Sequence, residues 1–283
     1  MTWIDTAAIY GLGHSEEVVG RALRQLPAAQ RPLVFTKCGL LRDENDRGAP
    51  ARRVLRPESI LRECDESLRR LGVDVIDLYQ FHWPDDTGTP VEDSWGTMLD
   101  LVAAGKVRAA GVSNFDVALL ERCEAIGHVT SAQPPFSLVN RWAAADVLPW
   151  CAAHGVGVIV YSPMQSGLLT GAFSAERVAA LTPDDWRRRS SDFQSPRLEH
   201  TLALVEELKP IAARHGVGLP ALAVAWVLAF PEVTSAIVGA RSPEQVDGWI
   251  AGASLALDER DLAGIAAAIE RSGGGRGPSL PVR

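Results

Sequence analysis

Three apolar runs each end in a residue that can carry or move a proton. Trp3-Ile4 ends in Asp5, Leu33-Val34-Phe35-Thr36 ends in Lys37, and Val75-Ile76-Asp77-Leu78-Tyr79-Gln80-Phe81 ends in His82. Tyr10 follows Asp5 by five residues. Together they can deliver a proton at neutral pH. A free phenol with a pKa of ~10 donates sluggishly at pH 7, and a neighbouring ammonium lowers that value. Asp5 would hold Lys37 charged and oriented, and His82 could donate to a substrate oxygen or relay a proton. Taken singly, each has a plainer reading: a loop tyrosine, a strand-end lysine reaching solvent, an aspartate capping a turn, a packing histidine before Trp83-Pro84. Parallel strands that all end this way build one cluster at the mouth of an α/β barrel, where catalytic groups of that fold sit. The joint arrival makes Tyr10, Lys37, Asp5 and His82 the candidate catalytic set, with Tyr10 as general acid.

The elements that must position these groups alternate along the chain. Strands are expected at Thr2–Asp5, Val34–Lys37, Val75–His82, Ala109–Ser113, Ser131–Gln133, Gly157–Tyr161 and Ser235–Val238. They are short and mostly apolar without alternation, as strands buried on both faces are. Between them, Ser15 is expected to cap a helix to about Leu26, with Glu16 and Glu17 in its first turn. Ile60, Leu61, Cys64, Leu68 and Leu71 recur at helical spacing over Pro57 to Leu71, and Gly72 stops that helix. Further helices are expected over Val91–Ala104, Val117–Ile126, Ala145–His154, Glu199–His215, Pro220–Phe230 and Pro243–Ala251, with a last one opening at Asp258. Repeating β-then-α units predict a parallel sheet, and their number points to a TIM (β/α)8-type barrel. The count is seven strands, so the first β/α unit is expected to be absent. Residues 1–272 read as a single barrel domain, and Gly273-Gly274-Gly275-Arg276-Gly277 opens a tail, 273–283, that is flexible by composition.

The chain has 283 residues, 47% of them hydrophobic, and a formal charge of −7. That balance argues against nucleic acid as a partner. The run Arg187-Arg188-Arg189 reads as a solvated face. Cys38, Cys64, Cys123 and Cys151 form no C-x-x-C pair, so no metal site is expected and a reduced, cytoplasmic setting fits. The longest apolar stretch, Val217 to Phe230, is interrupted by Gly218 and Pro220 and is too short for a membrane span. No Gly-x-Gly-x-x-Gly follows a strand, which disfavours a Rossmann site.

With these residues assembled, the chain resembles the aldo-keto reductases from about residue 2 to 271. The motif D-T-A-x-x-Y-G-x-G-x-S-E appears as Asp5-Thr6-Ala7-Ala8-Ile9-Tyr10-Gly11-Leu12-Gly13-His14-Ser15-Glu16. The L-x-x-L-x-x-D-x-[IV]-D-L motif runs from Leu68 to Leu78 and leads to His82. G-[VI]-S-N is Gly111-Val112-Ser113-Asn114. Gln133, Tyr161-Ser162-Pro163, Gly167-Leu168-Leu169 and Ile237-Val238-Gly239-Ala240-Arg241 match the family's cofactor-binding segments. Phe136 stands where many relatives have tyrosine, and Gly248-Trp249 where relatives often have Glu-Asn. Where relatives read G-[IV]-[NT]-[WF]-[IF]-D-T-A, Met1 occupies the valine or isoleucine position. The family's N-terminal hairpin, first strand and first helix are then missing, and the expectation is that an internal GTG codon was taken as the start of a longer protein.

The resemblance implies reversible hydride transfer between NADP(H) and a small-molecule carbonyl compound, an aldehyde or ketone. It implies that Ser113, Asn114 and Gln133 bond the nicotinamide carboxamide and that Phe136 stacks on the ring. Tyr161, Ser162 and Leu168 then lie in the pyrophosphate loop, and Gly239, Arg241, Ser242 and Gln245 at the adenosine end. Ser242-Pro243-Glu244-Gln245 has the form of a capping box with proline at the first helical position. A helix N-terminus beside Arg241 suits an anion, here the 2′-phosphate, which favours NADPH over NADH. Trp83, with help near Trp186, would line the substrate pocket, although both could be structural. The competing reading is an inactive or regulatory NADP-binding barrel, because seven strands leave two exposed edges. Neither the physiological substrate nor the oligomeric state is legible.

Overall fold

The computed structural model describes residues 2–42 and 50–281. Met1, on which the start-codon expectation falls, lies outside the described residues, as do the last two residues of the tail. Two compact units divide the chain, Met1–Gln133 and Pro134–Arg283.

In the first unit the elements run β1 (Trp3–Asp5), α1 (His14–Arg24), β2 (Leu33–Cys38), β3 (Leu40–Leu41), β4 (Arg52–Arg53), α2 (Pro57–Leu71), β5 (Leu78–Phe81), α3 (Val91–Ala103), β6 (Ala110–Ser113), α4 (Val117–Glu124) and β7 (Ser131–Gln133). Strands β1, β2, β5, β6 and β7 pair in that order and all in parallel, with Asp5 opposite Phe35, Lys37 opposite Gln80, Phe81 opposite Val112 and Ser113 opposite Gln133. All four residues of β5 and all four of β6 are buried, which is why they show no apolar–polar alternation. β5 is shorter than the expected Val75–His82: Ile76 makes only an isolated bridge to Val107, and Asp77 accepts from the Val34 amide at 2.8 Å.

Helix α2 has Pro57 at its start and Gly72 at φ 67 at its end. That left-handed C-cap is the conformation glycine adopts without steric cost. The antiparallel pair β3–β4 was not anticipated. Two-residue strands carry too little pattern to register as strands.

The first turn of α1 departs from expectation. Its N-cap is Gly13, at φ 92, and no side chain caps it. The Ser15 hydroxyl is shared with the Thr6 hydroxyl at 2.8 Å instead. Glu16 is fully buried, accepting from Arg70 Nε at 2.6 Å and from Thr36 Oγ1 at 2.6 Å. A Cβ on Gly13 would come within 2.6 Å of Arg70 Cδ. The motif's last residues therefore bolt α1 to β2 and α2 rather than capping a helix.

The second unit contains α5 (Val147–His154), β8 (Gly157–Tyr161), α6 (Ala175–Ala179), α7 (Arg197–Arg214), α8 (Leu219–Leu228), β9 (Ser235–Ile237), α9 (Pro243–Ile250) and α10 (Glu259–Ser272). β8 and β9 pair in parallel, Ile159 opposite Ser235. α8 is apolar all round and largely buried, which accounts for the long apolar stretch in the sequence. Among the described residues no single helix is long and apolar enough to cross a membrane. The glycine-rich segment after α10 is docked on residues 138–141: Arg276 O accepts from the Arg141 amide at 3.0 Å, and Gly274 O and Gly277 O accept from its guanidinium at 3.0 and 3.1 Å.

Candidate active site

Parallel register brings the first unit's polar groups to the C-terminal ends of its strands, the end at which this class of fold does chemistry. Lys37, near the end of β2, is buried and donates to Asp5 Oδ1 in a close ion pair and to Thr6 O at 3.0 Å. Its Nζ stands 5.7 Å from the centroid of the Tyr10 ring. The Tyr10 ring meets the His82 ring edge-on, centroids 5.6 Å apart at 80°. Tyr10 itself is 44% exposed, whereas Lys37 behind it is buried. All four expected catalytic residues therefore occupy one cluster.

The electrostatics of the cluster are set by burial. Desolvation pulls the Lys37 ammonium below the ordinary lysine value, while the Asp5 carboxylate pushes it back up. His82 is driven down to about 3, first by burial and then by the charge of Lys37. The imidazole is neutral at physiological pH. It can donate or accept a hydrogen bond but is not a reservoir of positive charge.

A ladder of neutral amides and hydroxyls adjoins the cluster. Gln133 Nε2 donates to Asp5 Oδ2 at 3.1 Å and to Gln80 Oε1 at 3.4 Å. Ser113 Oγ donates to Gln133 O at 2.8 Å. Asn114 Nδ2 donates to His82 O at 2.9 Å and to Ser113 Oγ at 3.1 Å. Asn114 adopts φ 62, a left-handed conformation that asparagine tolerates better than most residues. Ser113, Asn114 and Gln133 thus converge as expected, and their donor chemistry fits a carboxamide. They also brace the catalytic cluster: Gln133 holds Asp5, and Asn114 holds the backbone of His82.

Three contributors escaped the sequence reading. Gln80 is fully buried and receives Ser131 Oγ as well as Gln133; a lone amide inside Leu78-Tyr79-Gln80-Phe81 was the available signal. Thr6 supplies a carbonyl to Lys37. Arg53 lies over the Trp83 ring, 4.3 Å from its centroid. Trp83 itself follows His82 and is partly exposed.

In the second unit, Phe136 does not offer the expected stacking face. It is fully buried, stacked on Trp226 (centroids 5.3 Å apart) and edge-on to Phe230 (4.8 Å). Trp226 and Phe230 enclose the ring in stacked and edge-on contacts, the pair geometries that aromatic side chains favour in a core. Tyr161, at the end of β8, is partly exposed. Ser162 takes φ 58, and Gln165, Ser166 and Gly167 take successive positive φ values of 44, 53 and 98. The Leu168 side chain is buried with Val178, Phe193 and Leu198, so only its backbone could face a ligand. Trp186 is exposed and packs edge-on to Phe193.

Gly239 has nothing within 4 Å of a notional Cβ, and Arg241 is exposed. The capping box expected at the start of α9 is not formed. The Ser242 hydroxyl makes no cap bond because it turns to Glu244, whose carboxyl it holds low. Gln245 Oε1 accepts from the Arg241 amide at 2.8 Å, one residue earlier than the cap position.

A sequence model described as the aldo/keto reductase family matches residues 1–270. The chain is 35% identical over 269 residues to the aldo-keto reductase YhdN of Bacillus subtilis (strain 168), covering 93% of this chain and 78% of that one. It is 34% identical over 281 residues to the NADH-specific methylglyoxal reductase of Escherichia coli (strain K12), covering 95% and 84%. The structure superposes on that of the glycerol dehydrogenase AKR11B4 from Gluconobacter oxydans with a TM-score of 0.90 and 36% identity, covering 100% of this chain and 85% of the other. The fold class is α/β, of the TIM-barrel type, with seven parallel strands. The chain belongs to the aldo/keto reductase family, whose members act on small-molecule carbonyl compounds with nicotinamide cofactors.

Proposed function

We propose that this chain reduces an aldehyde or ketone to an alcohol with NADPH, Tyr10 serving as the general acid. The observation that carries this reading is the placement of a buried, carboxylate-paired ammonium, Lys37, 5.7 Å from the Tyr10 ring. A bound reduced nicotinamide would supply the hydride. The chain's own part is positional and electrostatic. Lys37 favours the phenolate that remains once Tyr10 has given up its proton. Asp5 keeps Lys37 charged against the cost of burial. His82, neutral, orients the carbonyl oxygen by a hydrogen bond. Ser113, Asn114 and Gln133 hold the carboxamide.

The preference for NADPH rests on Arg241 at the start of α9, where helix amides and a guanidinium favour an anion. Glu244 in the same turn opposes a phosphate, so the preference requires Arg241 to outweigh it. The E. coli relative is NADH-specific by name, which makes the ratio of kcat/KM for the two cofactors the deciding measurement.

The test of the catalytic reading is Tyr10→Phe. Its NADPH oxidation rate with a reactive aldehyde should fall by about 10²-fold or more, while NADPH binding followed by fluorescence titration stays within twofold. A variant as active as the wild type would overturn the assignment. Tight NADPH binding by a wild-type chain that turns over no carbonyl compound would favour the non-catalytic reading instead.

A further inference from the structure

The hairpin β3–β4 leaves the C-terminal end of β2 directly, one residue after Gly39, and pairs Leu40 with Arg53 and Leu41 with Arg52. It is tied to the segment after β5 at several points. Arg53 O accepts from the Asp86 amide at 3.2 Å, while Gly39 O accepts from the Val54 amide at 3.0 Å and joins the two flanks of the β3–β4 pair. Asp85 Oδ2 accepts from the Leu55 amide at 2.7 Å. His82 joins the same seam, its amide donating to Cys38 O at 3.0 Å. The hairpin therefore sits at the catalytic end of β2 and β5, alongside His82 and Trp83.

On this scaffold Arg53 lies over Trp83, its guanidinium carbon 4.3 Å from the ring centroid. Stacking on an aromatic face fixes the plane of a guanidinium but consumes none of its N–H donors. Among the described residues no ion pair involves Arg53. The nearby carboxylate of Asp85 is taken up by the amides of Leu55, Thr87 and Thr89. A half-buried guanidinium oriented over Trp83, the residue after His82, and in no ion pair among the described residues, has the chemistry to bind an oxyanion in a forked geometry.

We infer that Arg53 and Trp83 form an anion subsite for the substrate, so that the chain favours carbonyl compounds carrying a carboxylate or phosphate group. This rests on the carbonyl-reductase reading above. Arg53 acts on specificity: it holds the charged end of the substrate while the cluster around Tyr10 receives the carbonyl, and it touches no reacting atom.

Matched pairs of substrates test it: 4-oxobutanoate against butanal for the carboxylate, glyceraldehyde 3-phosphate against glyceraldehyde for the phosphate. The wild type should show a charged-to-neutral ratio of kcat/KM of about 10 or more for at least one pair, carried mainly by KM, and the pair that shows it identifies the anion. Arg53→Gln should bring that ratio close to one, with Arg53→Lys between. In the wild type alone, succinate or inorganic phosphate should inhibit butanal reduction competitively, a measurement that does not depend on a variant folding. Turnover of neutral aldehydes with no preference for the charged partner, or a preference untouched in Arg53→Gln, overturns the subsite and leaves the reductase reading standing. No turnover of any of the four aldehydes overturns both.

Discussion

Gln133 Nε2 donates to Asp5 Oδ2 across 3.1 Å, so the carboxylate that pairs with Lys37 through its other oxygen is held at both ends. Residues 128 positions apart in the chain thereby share one function: fixing the ammonium next to Tyr10. Gln133→Leu keeps the volume and removes the donor. Asp5 Oδ2 is then left with one fewer partner in a buried site, a loss of about 1–3 kcal/mol. The expected outcome is a lower melting temperature together with a fall in kcat larger than any rise in carbonyl KM. Gln133→Asn, too short to reach, should behave like the leucine variant. Unchanged kcat in both would separate Gln133 from the catalytic cluster.

His82 carries a pH dependence whose sign follows from its shift. Its folded-state value is about 3, driven down by burial and then by Lys37, against an ordinary 6.5. Between those values the unfolded chain binds a proton that the folded chain refuses, so stability rises with pH. The contribution is fully present above pH 6.5 and is lost as pH falls toward 3, at up to about 1.4 kcal/mol per pH unit from this group. Urea unfolding of the wild type and of His82→Gln between pH 4 and 7 should show a shallower slope in the variant. An imidazole resonance titrating near 6.5 in the folded protein would refute the assignment.

How much of this could be read from the sequence depended on whether a residue's partner was local. Asp5, Lys37 and His82 were legible because each ends an apolar run, and parallel pairing then puts such ends together. Ser15 was misread because capping is a local rule, whereas Thr6 and Arg70 compete for that turn from nine and more than fifty residues away. Phe136 was misread for the same reason: Trp226 and Phe230, which enclose it, arrive some ninety residues later. Gln80 was overlooked since nothing in a four-residue strand says that its amide meets Ser131 and Gln133. The β3–β4 hairpin, and with it Arg53 over Trp83, had no periodicity to announce it. Strand order could be inferred; the side-chain partnerships that brace the site could not.

Glu16 and Arg70 offer a test of how the Tyr10 loop is held. Glu16 is fully buried and its only cationic partner among the described residues is Arg70. Removing one member of a buried pair leaves the other charge uncompensated, at about 3–5 kcal/mol. Arg70→Met should therefore destabilise the protein by that order, measured by denaturant unfolding. Because Gly13 packs on Arg70 and lies three residues from Tyr10, kcat should fall as well. The double variant Glu16→Leu with Arg70→Met removes both charges and should be more stable than Arg70→Met alone. If it is less stable, the ion pair is not the origin of the loss.

Arg141 poses the opposite case, a buried cation with no carboxylate among its hydrogen-bond partners in the described residues. Its guanidinium donates to Leu138 O, Gly274 O and Gly277 O, and burial pulls its value down to about 10. It stays charged at neutral pH and is satisfied by carbonyl dipoles, two of them supplied by the glycine-rich segment. Close approach is possible there because Gly275 and Gly277 lack a Cβ: one on Gly275 would lie 2.0 Å from Val139 O. Ending the chain after Ser272 removes two of the three acceptors and leaves the charge poorly solvated, so a loss of about 2–5 kcal/mol is expected. Arg141→Met, which removes the charge and keeps much of the volume, should cost less than the truncation. Combined with Arg141→Met, the truncation should do less damage than it does alone, a coupling that a double-mutant cycle reads directly. Strict additivity would mean that the glycine segment stabilises the protein through contacts other than Arg141.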